Sequence, residues 1–471
     1  MSTLQKAYDH APIAVQNVML SLYGVVLRYR RYGPMQRAKT VQLARSERLT
    51  SPELAQLQLN ALKHLTAAAS RDVPFYHGRL PTGGVSSFAE LRDLPILSKS
   101  EVQAAGKAMV STRYRGSRLQ KIYTGGTTGT PLTIYCDRKA LQHNYAFFSR
   151  FRTWAGFTTA DRTATFAGRN IVPAGSGAPF WRHNWASRTL LCSSYHLAPD
   201  TIDAYLDALA EFGPHLIDAY PSALASLANR ALARGDGRIR AKAIITSSET
   251  LHSEVRDAAE AAFGCRVFDH YGAAEMAAFI TQCERGAYHV NPEYGIVELI
   301  VDGRPARIGE SGEIVATGFV NDAMPFIRYA TGDVAVMTDE HCRCGRAFPV
   351  VERLEGRSDD VITTLDGRKI GRLDPVFKVI TSIHEARIVQ DAPGHVRVEV
   401  VPWDVLPDRE RSALKSELER RLGPTMKVSI VEVDRLERTR AGKLRTVVNL
   451  VDPPVMAPVG ARVGAPSEGP E

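Results

Sequence analysis

The sequence predicts an α/β fold, with a large N-terminal α/β domain of layered sheets and a small α+β C-terminal domain. Two observations lead to this prediction. Short apolar runs of strand length alternate with helical stretches from about residue 119 onward, which is typical of sheets covered by helices. The composition is also that of a globular protein: 44% of the 471 residues are hydrophobic and 23% are charged, which is enough apolar material for a large core.

The large domain has two parts. Residues 1–115 are predicted to be mainly helical, because apolar residues recur at helical spacing between residues 54 and 68. In residues 116–357 apolar strands first alternate with helices, so we expect largely parallel sheet there, and the sequence becomes strand-rich between residues 294 and 336. The predicted elements are strands at 132–135, 243–246, 295–300 and 312–317, a helix with Ile202, Tyr205, Leu206 and Leu209 on one face, and turns at Gly303 and Gly309.

The C-terminal region reads differently. Residues 358–450 combine a strand at 396–401 with a charged helix at 408–422, which predicts a small α+β domain. Residues 451–471 are rich in Pro, Gly and Ala, and we expect this tail to be disordered.

Composition excludes several classes of protein. Six cysteines in 471 residues are too few for a secreted disulfide framework, and no signal peptide is recognised. We therefore expect a cytoplasmic, reducing location. The net charge is +8, but no long basic run or nucleic-acid-binding motif accompanies it, so no nucleic-acid partner is expected.

Residues 15–27 form an apolar stretch that ends in a basic, aromatic cluster at residues 28–32. The stretch contains Gln16 and Asn17 and is too short to span a bilayer. Two interpretations are open. We favour a helix packed on the body with a solvated basic end; the other is peripheral attachment to an anionic membrane surface.

A Gly/Thr-rich loop is the sharpest motif. Glycines let backbone N–H groups approach an anion closely, and threonine hydroxyls add donors. No Gly-Lys-Ser/Thr follows, so this is not the Walker pattern. We predict a phosphate-binding loop, with a tight surface turn as the alternative. Its residues are Thr124, Gly125, Gly126, Thr127, Thr128 and Gly129.

Further motifs follow in a fixed order. They lie at residues 247–250, 269–275, 328–333, 356–360 and 438–443. With the loop, this set resembles the acyl-adenylate-forming enzymes, which include acyl-CoA synthetases, peptide-synthetase adenylation domains and luciferases. It is similar in particular to the phenylacetate–CoA ligase family and its capsule-biosynthesis-type branch. The supporting segments are residues 179–182, 194–197, 219–222 and 366–369.

The resemblance implies an ATP-dependent ligase that activates a carboxylic acid as acyl-AMP and passes the acyl group to coenzyme A. The loop would hold the β- and γ-phosphates of ATP, and the small domain would be mobile about a hinge at Asp359. The other implied residues are Tyr271 and Gly272 at the adenine, Ser248 and Glu249 near its edge, Asp333 at the ribose with Arg357 beside it, Glu275 on Mg²⁺, and Lys443 as the catalytic residue.

The sequence departs from the superfamily pattern at three positions. Thr130 and Leu132 stand where many members carry a lysine, and Ala274 stands where a hydroxyl residue often precedes the metal-binding glutamate. Phosphate binding would therefore depend more on backbone donors and metal.

Alternative functions remain open. The acyl acceptor could instead be an amine, giving an amide in cell-envelope glycan or natural-product assembly, or the protein could bind adenylate without turnover. A serine hydrolase is excluded because the sequence has no Gly-x-Ser-x-Gly motif.

The sequence does not identify the carboxylic acid substrate. Four aromatic residues are candidates for either the acyl pocket or the core: Trp181, Trp185, Tyr195 and Tyr220.

Four residues offer a second, metal-binding pattern. Cys283, His289, Cys342 and Cys344 provide three thiolates and one imidazole, a complete tetrahedral set for Zn²⁺. With no open position, such a site would be structural, like the loop-stapling sites of some family members. The alternative is a set of unpaired buried thiols. The remaining cysteines, Cys136, Cys192 and Cys265, are expected in the core.

Overall fold

The N-terminal part of the protein is helical, as the sequence predicts. The computed structural model describes residues 3–123, 132–158, 160–167, 171–173, 176–357, 362–365, 369–370, 373–377, 380, 382–423, 425–439 and 443–451. The α-helices before the first strand are α1 (Thr3–His10), α2 (Ile13–Arg31), α3 (Pro34–Ser46), α4 (Ser51–Asp72), α5 (Phe88–Asp93) and α6 (Lys99–Ala105). At the start of α4 the Glu53 carboxylate accepts a hydrogen bond from the Thr50 N–H at 2.8 Å, which caps the helix.

A 13-stranded sheet forms the centre of the large domain. It is preceded by an antiparallel pair, β1 (Gln120–Tyr123) and β2 (Thr133–Cys136). The strands of the large sheet are β3 (Thr163–Ala167), β4 (Trp181–Asn184), β5 (Thr189–Ser193), β6 (Leu216–Ala219), β7 (Ala243–Ser247), β8 (Arg266–Gly272), β9 (Phe279–Gln282), β10 (Tyr288–Val290), β11 (Gly295–Val301), β12 (Arg304–Pro305), β13 (Ser311–Gly318), β14 (Tyr329–Met337) and β15 (Val350–Arg357). Their order is β12-β11-β13-β14-β15-β10-β9-β8-β7-β6-β3-β5-β4.

The sheet is parallel only in part. The neighbours β5, β3, β6, β7 and β8 are parallel, and the other pairs are antiparallel. The expectation of largely parallel sheet is therefore wrong outside these five strands. The reason is the length of the connections: only five residues separate β9 from β10, whereas a parallel crossover needs a dozen or more.

Four helices cover the parallel part. They are α7 (Arg138–Trp154), α8 (Ile202–Phe212), α9 (Pro221–Arg234) and α10 (Ser253–Phe263). The face of α8 predicted from the sequence is buried, with Tyr205 and Leu206 inside one apolar cluster that also contains Phe166 of β3. Cys192 lies in the same cluster, and Cys136 is buried in another; Cys265 is only half-buried at the edge.

The C-terminal region forms a separate small sheet. Its elements are β16 (Ile362–Thr363), β17 (Lys369–Ile370), β18 (Ile383–Ala392), β19 (His395–Pro402), α11 (Asp408–Leu422), β20 (Lys427–Glu432) and β21 (Val447–Asn449). The order is β20-β19-β18-β21, and α11 buries Leu414, Leu418 and Leu422 against it. The α+β class expected for this region is confirmed. In the described part of the chain, no helix is long and apolar enough to cross a membrane.

Candidate active site

One cavity of about 1140 Å³ lies between the large sheet and the small domain. The carboxyl ends of β7 and β8 and the paired strands β14 and β15 open into it from the large domain. The segment before β21 closes it from the small domain. Every described residue that the sequence predicts for the nucleotide or its reaction lines this cavity: Ser248, Glu249, Tyr271, Gly272, Glu275, Asp333, Arg357 and Lys443.

The turn after β7 presents Ser248 and Glu249. Ser248 has a φ of 74°, a left-handed conformation that is uncommon for residues other than glycine and often marks functional turns. Glu249 follows it, and burial raises the pKa of its carboxyl, opposed by hydrogen bonds from backbone N–H groups. Close by, Gly356 has a φ of +91°, and a Cβ there would lie 2.6 Å from the Thr250 hydroxyl. Only glycine fits at position 356, and the absence of a side chain there lets β15 approach the turn after β7.

Tyr271 and Asp333 are joined directly. The Tyr271 hydroxyl donates a hydrogen bond to Asp333 Oδ2 at 2.8 Å. Asp333 pairs in register with Arg357 across β14 and β15, and the guanidinium lies 3.7 Å from Asp333 Oδ1. Burial nevertheless raises the pKa of Asp333 to about 6, while Arg357 and the Tyr271 hydroxyl act in the opposite direction. A partly buried carboxylate with oriented neighbours is suited to accept hydrogen bonds from ligand hydroxyls.

Glu275 lies near the same pair. The Tyr329 hydroxyl donates to Glu275 Oε1 at 3.2 Å. Burial raises the pKa of Glu275, and hydrogen bonds together with Lys99 and Arg357 oppose the shift. An ionised carboxylate at this position gains from any cation that enters the cavity.

Lys443 enters the cavity from the small domain. Burial lowers the pKa of its ammonium, and the carboxylates of Glu249, Asp333 and Glu275 counteract this effect. The segment is held by a backbone contact, since the Leu444 N–H donates to Glu249 Oε1 at 2.8 Å. The structure thus brings Lys443 of the small domain together with carboxylates from the segments after β7 and β8 and from the middle of β14.

Sequence reasoning missed a group that joins the two domains. The Ser222 N–H donates to Glu249 Oε2 at 2.9 Å, and Arg438 donates to the Ser222 hydroxyl at 3.3 Å. Arg438 also forms a buried ion pair with Glu385 of β18. The sequence indicated only that the segment around Arg438 is basic. No pattern near Glu385 indicated that it would form a buried ion pair with Arg438.

Two residues of the sequence motifs are structural. Asp269 accepts hydrogen bonds from the hydroxyls of Thr246 and Tyr288, so it ties β8 to β7 and to β10. Arg328 forms a bidentate ion pair with Glu298 of β11, at 3.0 and 3.1 Å, and donates to the carbonyl oxygen of Arg92. It therefore ties the end of α5 to the sheet.

Some predicted sites lie outside the described residues. These are the phosphate loop at 124–129 and the hinge at Asp359. The aromatic candidates for the acyl pocket are described, and none of Trp181, Trp185, Tyr195 and Tyr220 lines the cavity. Trp181 packs on the core cluster of α8.

The four predicted zinc ligands come together away from the cavity. The ligand atoms of Cys283, His289, Cys342 and Cys344 all lie within 4.8 Å of one another. Cys283 Sγ is 3.6 Å from Cys342 Sγ, and Cys344 Sγ is 3.3 Å from His289 Nε2. Pairs that are 59 and 55 residues apart in sequence thus meet at one point.

Comparisons with known proteins agree with this geometry. Residues 84–320, about half of the chain, match the family model described as AMP-binding enzyme, and residues 362–450 match the CapK C-terminal domain. Protein CapK of Staphylococcus aureus is 25% identical over 467 residues, covering 95% of this chain and 99% of that protein. The phenylacetate-coenzyme A ligase of Thermus thermophilus is 23% identical over 441 residues, covering 86% and 98%.

Solved structures share the fold. A 2-hydroxyisobutyryl-CoA ligase in the postadenylation state, bound to an acyl-adenylate, superimposes with a TM-score of 0.67 at 20% identity, covering 86% of this chain and 91% of that one. The same ligase in the thioesterification state gives a TM-score of 0.55 over the same shares.

The expected resemblance is therefore confirmed, and the protein is an ATP-dependent, AMP-forming ligase. The chain belongs to the AMP-binding enzyme family, with a C-terminal domain of the CapK type.

Proposed function

We propose that the protein activates a small carboxylic acid as an acyl-AMP and then transfers the acyl group to coenzyme A. The observation that carries this proposal is that Lys443 of the small domain shares one cavity with Tyr271, Glu275 and Asp333 of the large domain. The phenylacetate–CoA ligase relatives support the acceptor.

The first half-reaction joins two anions. A carboxylate oxygen attacks the α-phosphorus of ATP, a new O–P bond forms, and the bond to pyrophosphate breaks. Negative charge accumulates on the phosphoryl oxygens in the transition state, so preorganised positive charge accelerates the step. Lys443 supplies that charge in our proposal. Bound phosphates would also favour its ammonium form, against the burial that lowers its pKa.

Asp333 and Tyr271 form the nucleoside end of the proposed site. Asp333 would accept hydrogen bonds from the ribose hydroxyls. The Arg357 guanidinium lowers the pKa of this carboxyl and so favours its ionised form. The Tyr271 ring would lie against the adenine. Its hydroxyl is bonded to Asp333 at 2.8 Å, which fixes the ring relative to the ribose acceptor.

Glu275 fits a magnesium ion. Mg²⁺ at a nucleotide takes one or two carboxylates and completes its shell with water and phosphate oxygens. Glu275 is such a carboxylate, it lines the cavity, and burial disfavours its charge in the absence of a cation. When bound, the ion would supply positive charge that offsets the charge of the phosphates.

The second half-reaction requires Lys443 to leave. We propose that the small domain rotates about Asp359 and admits coenzyme A, whose thiol attacks the acyl carbon and expels AMP. Three described hydrogen bonds cross between the domains: from Leu444 to Glu249, from Arg438 to Ser222, and between the Ser226 hydroxyl and His384 Nδ1 at 3.4 Å. The Arg438–Glu385 ion pair is within the small domain and would move with it. Few bonds would therefore have to break.

Pyrophosphate exchange tests the proposal. A panel of aliphatic and aromatic acids is screened for acid-dependent exchange of labelled pyrophosphate into ATP, and active acids are then offered coenzyme A or amines. Exchange followed by thioester formation is the expected result. Exchange with amide but no thioester would assign the amine-acceptor alternative, and nucleotide binding without exchange for any acid would assign a non-catalytic protein.

We also propose a structural zinc ion at Cys283, His289, Cys342 and Cys344. Three sulfurs and one imidazole within 4.8 Å of one another make a closed donor set, typical of structural zinc. The surroundings support it. The Arg285 N–H points to Cys283 Sγ at 3.3 Å and the Cys344 N–H to Cys342 Sγ at 3.4 Å, contacts that stabilise thiolates.

His289 is oriented for the same task. Its Nδ1 lies 3.4 Å from the Phe348 carbonyl oxygen, so Nδ1 would carry the proton and Nε2 would face the sulfurs. None of the six cysteines is in a disulfide in the structure, which is consistent with the reducing, cytoplasmic location that we propose.

A further inference from the structure

Helix α2 packs on the large domain through its polar side. Asn17 is buried, and its Oδ1 accepts a hydrogen bond from the His183 N–H of β4 at 2.9 Å. Further along α2, Gly24 packs against Asn184. An added Cβ at Gly24 would lie 2.4 Å from Asn184 Nδ2. Glycine at this position lets the helix lie directly on the edge strand. The orientation of α2 about its own axis is therefore fixed.

The opposite side of α2 is apolar and exposed. Six of its exposed apolar side chains form one stripe. At 100° per residue the stripe is about 100° wide, the width that normally faces a core. Leu22 is 64% exposed and Tyr29 is 68% exposed. Burying polar residues while exposing valines and leucine reverses the usual arrangement of a surface helix, which indicates a binding surface. The stripe consists of Val15, Val18, Leu22, Val25, Val26 and Tyr29.

Positive charge follows the stripe, at the C-terminal end of α2 and in α3. Residues 10–46 contain six Arg and Lys residues and no Asp or Glu. Of these, Arg28, Arg37 and Arg45 are exposed. The guanidinium of Arg138 from α7 lies 4.5 Å from the centre of the Tyr29 ring, which adds a further cation at one end.

An exposed tryptophan stands beside the helix. Trp185 is 58% exposed, and its backbone N–H donates to the Ser21 hydroxyl of α2 at 3.0 Å. Tryptophan and tyrosine rings are enriched where apolar and polar phases meet. An apolar stripe, arginines and exposed aromatic rings together describe a helix that lies in the plane of a membrane interface.

We propose that α2 binds the enzyme to the surface of an anionic lipid bilayer. The apolar stripe enters the boundary of the acyl chains, and the arginines contact lipid phosphates. Charge selects this occupant over a second copy of the chain. A twofold interface sets the same surface against itself, and residues 10–46 of a second copy would offer the arginines no carboxylate to pair with. Binding on this surface is independent of the proposed chemistry, since α2 does not line the cavity.

Vesicle flotation with the full chain tests the proposal. Vesicles of phosphatidylglycerol and phosphatidylcholine are compared with vesicles of phosphatidylcholine alone. The variant is Leu22→Glu, which changes the exposed stripe and leaves the packed side intact. The matched control is Ile308→Glu, because Ile308 is 65% exposed and follows β12, at the opposite edge of the large sheet from β4.

We expect the wild-type protein and Ile308→Glu to float with the anionic vesicles, and not with the zwitterionic ones. Leu22→Glu should lower the affinity roughly tenfold or more, the order expected for losing one buried leucine. Salt near 1 M should also weaken binding, since it shortens the Debye length to about 3 Å. Unchanged melting temperature in Leu22→Glu would show that the variant is folded.

Three results would overturn the proposal. Equal binding to both kinds of vesicle would show that the negative charge of the lipid does not contribute to binding. No flotation, combined with a concentration-dependent dimer that Leu22→Glu dissociates, would assign the stripe to self-association. No flotation from a monomeric protein would exclude the membrane and leave the stripe to a protein partner.

Discussion

The Glu249 carboxylate accepts a hydrogen bond at 2.8 Å from the backbone N–H of Leu444, the residue that follows Lys443. Its other oxygen is bonded to the Ser222 N–H. One side chain of the large domain thus holds the proposed catalytic segment of the small domain in the cavity. This contact links the position of Lys443 to the residues that surround the nucleotide site.

Glu249→Ala should slow formation of acyl-AMP by roughly 10–100-fold, because a hydrogen bond to a charged group contributes about 1.5–3 kcal/mol. Transfer of the acyl group from synthetic acyl-AMP to coenzyme A should be unimpaired, since that step needs the rotated domain. The exposed Glu340 provides a control, Glu340→Ala, that should change neither step. If Glu249 instead contacts adenine, both half-reactions will suffer, because acyl-AMP carries the same base.

The pKa of Asp333 predicts an acid limb in the pH profile. Burial raises this pKa to about 6, so the carboxylate is ionised, and able to accept hydrogen bonds from ribose, only above that pH. We expect kcat/KM for ATP to fall as the pH drops through about 6, since this parameter reports the free enzyme. Two nearby charges also act on the pKa of Asp333: the Glu275 carboxylate raises it, and the Lys443 ammonium lowers it.

Asp333→Asn identifies the group responsible. The variant should lower kcat/KM for ATP at neutral pH by roughly 10–100-fold and should lack the limb near pH 6. A limb that persists unchanged in Asp333→Asn would assign the titration to another group.

Metal analysis tests the zinc site. Purified protein should contain about one zinc ion per chain, and Cys342→Ser should lose the ion and melt at a lower temperature, because binding of a structural metal stabilises the fold. Cys265→Ser is the control: this thiol is also half-buried and lies outside the cluster, so zinc should be retained. A metal-free protein with full thermal stability would refute the site.

Arg328 should prove structural although it lies five residues from Asp333. Removing one partner of a buried ion pair costs about 3–5 kcal/mol, so Arg328→Ala should lose that much free energy of unfolding in urea. Arg304→Ala breaks a comparable but more exposed pair with Glu310 and should cost no more than about 1 kcal/mol. A stable Arg328→Ala variant that fails to bind ATP would contradict this assignment.

Periodicity predicted the local elements well. The charged helix expected at 408–422 is α11 (Asp408–Leu422), and the strand expected at 243–246 is β7 (Ala243–Ser247). In α11 the leucines at 414, 418 and 422 recur at helical spacing and are buried, whereas β7 is buried on both faces, as expected of a central parallel strand. The extent of parallel pairing was overestimated, because strand direction depends on the connections and partners across the sheet, which periodicity does not encode.

The ordered motifs predicted which residues share the cavity, including Lys443 and Asp333. They did not predict the contacts between domains. Glu249 was expected only near adenine, and its bonds to Ser222 and Leu444 depend on how two separately folded units meet. The outward apolar side of α2 was equally hidden, since a helical pattern shows that one side is apolar but not which side faces the body.

The role of Lys443 is the central claim, and separating the half-reactions tests it most directly. Lys443→Ala should reduce acyl-AMP formation from acid and ATP by roughly 10²–10³, the loss typical of one preorganised charge contact. The exposed Lys427 gives the control, Lys427→Ala, which should be unaffected. With synthetic acyl-AMP, Lys443→Ala should still transfer the acyl group to coenzyme A at nearly the wild-type rate. Undiminished acyl-AMP formation by Lys443→Ala would contradict the account.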